Sequence, residues 1–151
     1  MFKKISILSI LLMIVAQIAS SQETMIINDA WVREVPPGSS VSAAYMTIQN
    51  KGSDDKLIAI SSDVSESAEL HTSKVDDNGV ASMEMVKVLE IPSGNTVEFK
   101  PGGMHIMLIG LNESLVGKES IDLTLDFSEA GEMQIVVPVK KSAGESHHHH
   151  N

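Results

Sequence analysis

The sequence predicts an all-β protein of the sandwich type. Three observations carry that expectation: the segments alternate apolar and polar residues, turn-forming residues cut them at short intervals, and no stretch places apolar residues at helical spacing. Strands are expected over Ile26 to Arg33, Ala43 to Gln49, Lys56 to Ser61, Ser67 to Thr72, Ala81 to Leu89, Thr96 to Phe99, His105 to Gly110, Ser120 to Asp126 and Glu132 to Val139. Between them stand Pro36-Pro37-Gly38, Asn50-Lys51-Gly52, Asp76-Asp77-Asn78-Gly79, Pro92-Ser93-Gly94-Asn95, Pro101-Gly102-Gly103 and Ala130-Gly131, all turn chemistry. About nine strands in a domain of this size hide their apolar faces by packing two sheets on each other. A closed barrel is the alternative.

Ahead of the first strand, Met1-Phe2-Lys3-Lys4 leads into an apolar run from Ile5 to Ala19. A short basic start, an apolar stretch and small residues near a cut after Ser20 or Ser21 have the layout of a signal peptide over residues 1–21. The run is short for a bilayer span and no second one follows, so the exported protein is expected to be soluble rather than membrane-embedded. Without the leader, nine basic residues face twenty acidic ones, a net charge of −11 with histidine neutral. That surface repels phosphate backbones, so no nucleic-acid role is expected. The chain has no cysteine, which excludes disulfides, thiolate zinc sites, a lipid-bearing cysteine and a blue-copper centre.

Two histidines, His71 and His105, lie in apolar β segments; the remaining four form the run His147 to His150. His105 and Met107 are two apart on one strand, so their side chains leave the same face about 6–7 Å apart. Met83 and Met85 repeat that spacing on another strand. Thioethers are soft, uncharged donors and neutral imidazole is a borderline nitrogen donor, a combination that suits Cu(I) better than zinc, iron or calcium. Methionine in a β core is also ordinary packing material, so residue chemistry alone leaves both a metal site and plain packing open.

The chain from Asp29 to Val139 resembles the PCuAC family of periplasmic copper chaperones. The resemblance is carried by Trp31-Val32-Arg33 with Pro36-Pro37-Gly38, Ala43-Ala44-Tyr45-Met46 with Asn50, Glu69-Leu70-His71, Met83 and, most specifically, Pro101-Gly102-Gly103-Met104-His105-Ile106-Met107-Leu108. Leu111, Gly117, Leu123-Thr124-Leu125 with Phe127, and Val137-Pro138-Val139 continue it. It implies a cupredoxin-like β-sandwich with Greek-key topology over residues 25–141 and a metal site of His71, Met83, His105 and Met107. Met83 is preferred over Met85 by its place in the family pattern. Pro101-Gly102-Gly103 reads as a tight turn before the ligand strand with no direct metal contact, and Trp31 and Tyr45 as core or edge aromatics.

The implied function is delivery of Cu(I) to an acceptor, the copper centre of a cytochrome oxidase subunit or a Sco-type intermediary, in the periplasm and without catalysis. Two other functions fit the same residues: copper storage or detoxification, and a scaffold in which His and Met only fill space. The tail, residues 142–151, is expected to be a flexible His-rich arm that captures Cu(II), or the remnant of a purification tag.

Overall fold

The structure is a computed structural model that describes residues 24–141; the expected signal peptide and the His-rich tail lie outside the described residues. Ten strands make up the chain in order: β1 Met25–Arg33, β2 Val41–Asn50, β3 Asp55–Ser62, β4 Ser65–Val75, β5 Ala81–Met85, β6 Leu89–Ile91, β7 Thr96–Phe99, β8 Met104–Leu111, β9 Ser120–Phe127 and β10 Gly131–Lys140. They follow one hydrogen-bonded path, β5-β4-β8-β2-β1-β10-β9-β3-β6, with β7 on β2. The path has two free ends, β5 and β6, so the alternative of a closed barrel is not realised among the described residues.

Two layers arise because β10 serves both. Gly131 to Pro138 pairs antiparallel with β9, while Val139 and Lys140 pair parallel with Val32 and Arg33 of β1. Between the layers lie Met25, Ile48, Phe99, Ile106, Leu108, Leu123, Leu125, Phe127 and Val137, all buried. Each of these comes from the inward parity of its strand, the half-apolar pattern that the alternation foretells.

The expected strand Ala81 to Leu89 is corrected to two. Ala81–Met85 pairs with β4, whereas Leu89–Ile91 pairs with β3 in the other layer. The chain crosses the mouth of the sandwich between them, and Val86 packs against the core on the way.

β2 is long enough to host two neighbours on one edge. Its first half, Val41 to Ala44, pairs with β8, and its second half, Met46 to Gln49, pairs with β7. The reversal between β7 and β8 is closed by the Gly103 amide donating to the Lys100 carbonyl at 3.0 Å. Pro101 followed by Gly102 at φ +78° gives it the type II pattern. This is the tight turn expected ahead of His105.

Candidate metal site

β4 and β8 run antiparallel with His71 directly opposite His105 and Glu69 opposite Met107. On the other side of β4, Met85 stands opposite His71 and Met83 opposite Ser73. Paired residues project from the same face of a sheet, as do residues two apart on a strand. His71, Met83, Met85, His105 and Met107 therefore share one face. It is turned away from the core, because the alternating residues Leu70, Ile106 and Leu108 fill the interior. Met83 lies in the row on one side of the His71–His105 pair, and Met107 in the row on the other.

The two imidazoles are 6.0 Å apart between ring centroids. Each has one nitrogen committed. Nδ1 of His105 lies 3.0 Å from the Gly103 carbonyl oxygen, an atom that only accepts, so Nδ1 carries the proton and the lone pair sits on Nε2. Nε2 of His71 lies 2.9 Å from a Glu69 carboxylate oxygen; with that nitrogen donating, the lone pair of His71 is on Nδ1. That Nδ1 is buried and has no hydrogen-bond partner, which is costly unless something electrophilic meets it.

A cavity of about 340 Å³ opens beside His105, walled by Met83, Met107, Arg33 and Tyr45. Met85, although opposite His71 in register, lines a different cleft of about 200 Å³ together with Leu57, Ile60 and Val86. Among the described residues no three His, Cys, Asp or Glu side chains gather as an ion-binding cluster. A metal held here therefore needs the thioethers, and the donor set that results is soft.

Two participants are absent from the sequence-derived site. Glu69 and the Gly103 carbonyl fix the histidine tautomers, the outer-shell role that orients metal-ligating imidazoles. Glu69 was findable, since two residues before His71 on a strand is the same face. The Gly103 contact depends on how the turn folds back, which no sequence pattern reports.

The LpqE-like family model matches residues 25–139. The chain belongs to the LpqE-like family. A protein of Leifsonia xyli subsp. xyli, named as a lipoprotein, is 36% identical to this LpqE-like chain over 120 residues, covering 78% of the chain and 70% of the relative. An uncharacterized protein of Rickettsia prowazekii is 36% identical over 103 residues, 67% of the chain, which spans 55% of that relative's length. Among solved structures, the Cu(I) form of DR1885 from Deinococcus radiodurans superposes with a TM-score of 0.64 at 32% identity, covering 85% of this chain and 87% of that one. The copper-bound PCuAC domain of PmoF2 superposes at 0.66 with 24% identity, covering 78% and 93%. At that identity the PmoF2 likeness speaks for the fold alone. The LpqE-like fold is thus the cupredoxin-like β-sandwich of PCuAC copper-binding domains.

Proposed function

We propose that this LpqE-like protein binds one Cu(I) through His71, Met83, His105 and Met107 and hands it to an acceptor outside the cytoplasm. The observation that carries the reading is the cross-strand pair of His71, whose Nδ1 is buried and unpartnered, and His105, which lines a cavity walled by the Met83 and Met107 thioethers. The 32% identical Deinococcus protein, solved with Cu(I), supports the choice of metal. Met83 is the fourth ligand in preference to Met85 because it shares the cavity with His105 and Met107. Export is supported by the leader-like N-terminus and by a relative named as a lipoprotein.

Transfer follows from where the ligands sit. β5 is the edge strand of its layer, and Met83 is 61% exposed; the histidines and Met107 belong to strands paired on both sides. An incoming donor atom therefore reaches copper from the β5 edge, and the Met83 thioether is the ligand it displaces. Thioethers and imidazoles bind as neutral donors and need not take up a proton when they release the ion, so exchange requires no catalytic residue. The recipient we propose is the copper centre of a cytochrome oxidase subunit, directly or through a Sco-type protein.

The test is competition against a colorimetric Cu(I) chelator. His105→Ala and Met83→Leu should each weaken binding by more than the about 10–100-fold typical of an outer-shell loss, while Met85→Leu should leave it near the parent value. Met→Leu conserves volume and spares the fold. Parent-like affinity in both His105→Ala and Met83→Leu rules the assignment out. For delivery, the readout is oxidase activity of a deletion strain under copper limitation; sensitivity to excess copper with normal oxidase activity points to storage instead.

A further inference from the structure

We infer that the Arg33–Tyr45 wall of the cavity is a carboxylate-binding site contiguous with the metal pocket. Arg33 is the single arginine of the chain. β1 and β2 pair with Trp31 opposite Tyr45 and Val32 opposite Ala44; Arg33, two residues after Trp31, thereby joins the face that bears His105 and Met107. Its Nη2 donates to the Tyr45 hydroxyl at 2.8 Å, its Cζ lies 5.6 Å from the Tyr45 ring centroid, and that ring packs on Trp31 at 4.6 Å between centroids. The guanidinium is held in position before any ligand arrives.

What it lacks is an anion. Among the described residues no carboxylate comes within 4 Å of Arg33, in a chain with twenty acidic residues. Nε of Arg33 is buried and has no hydrogen-bond partner. Tyr45 accepts from Arg33 and keeps its own proton to donate; burial raises its pKa above 10.0, with the Arg33 charge and hydrogen bond pulling the other way. A fixed guanidinium with a hydroxyl beside it, both lining about 340 Å³ of space, offers a carboxylate a full charge, the Nη donors left over from Tyr45 and one O–H donor. The other walls include Val35, Val41 and the thioethers. They favour a singly charged carboxylate on a partly apolar body over a phosphate, whose second charge no lysine or second arginine lining the cavity would offset.

Such a site would hold a carboxylate-bearing copper source or recipient while the metal changes hands, and that use rests on the copper reading. Carboxylate binding itself does not, and it is tested on metal-free protein. The single tryptophan, Trp31, packs against Tyr45 with the rings tilted by 37° and reports on the site by fluorescence. Titration with butyrate, and separately with a capped glutamate tripeptide, is run at constant ionic strength against chloride. The parent should saturate, Arg33→Gln should weaken the response by about tenfold or more, and Tyr45→Phe should weaken it less. Saturation by both probes marks a general carboxylate site; saturation by the peptide alone marks a site for an acidic side chain of a partner protein; either supports the proposal. It is overturned if neither probe saturates in the parent, if chloride gives the same response, or if Arg33→Gln, folded by circular dichroism, still saturates at the parent concentration.

Discussion

Glu69 and His71 stand two apart on β4, so the strand itself delivers the carboxylate to the imidazole at 2.9 Å. Its consequence is chemical: a proton held on Nε2 leaves Nδ1 as the only nitrogen able to meet a cation. Glu69→Ala should lower Cu(I) affinity by about 10–100-fold, with Glu69→Gln retaining most of it, because the amide oxygen still accepts from Nε2–H. Chelator competition on the two variants checks this. An alanine variant that binds like the parent would assign Glu69 to the surface charge and nothing more.

At the scale of elements, the turn between β7 and β8 decides where the ligand strand begins. Gly102 sits at φ +78° with nothing within 4 Å of the place a Cβ would occupy, so a side chain there would meet no obstacle except its own backbone. Gly102→Ala should then cost about 1–2 kcal/mol from the left-handed conformation alone, read as a shift of the urea midpoint with unchanged m-value. The strands on either side of this turn are legible in the sequence, because alternation and Pro-Gly-Gly agree. The division of Ala81 to Leu89 into β5 and β6 is not, since Val86-Lys87-Val88 contains no turn residue and the change of partner is imposed by the core that receives Val86. The same holds for the site. The His105 and Met107 pairing follows from a two-residue period, whereas His71 opposite His105 is a register between segments more than thirty residues apart, set by the tertiary packing of β4 on β8. Arg33 is visible as a lone arginine, but its contact with Tyr45 depends on the β1–β2 register.

For the whole molecule, one buried carboxylate ties the start of β3 to the turn joining β9 and β10. Asp55 is 5% exposed; its Oδ1 accepts from the Lys56 amide at 2.7 Å and from the Ser128 hydroxyl and Glu129 amide at 2.9 Å, and its Oδ2 from the Ala130 amide at 2.9 Å. Burial alone would raise its pKa, but these four hydrogen bonds outweigh it and hold the carboxyl below its ordinary value of 3.8. With the folded pKa below the unfolded one, the carboxylate's contribution is complete at pH values above the ordinary carboxylate range and drains away as pH falls through the folded value. Asp55→Asn removes the charge and turns one acceptor atom into a donor facing an amide, so it should cost about 2–3 kcal/mol at pH 7. The difference between parent and variant should shrink steadily once the pH drops below about 4. Urea unfolding of both proteins from pH 7 to pH 3 measures it, and a gap that stays constant over that range would show that the clamp works by shape and not by charge.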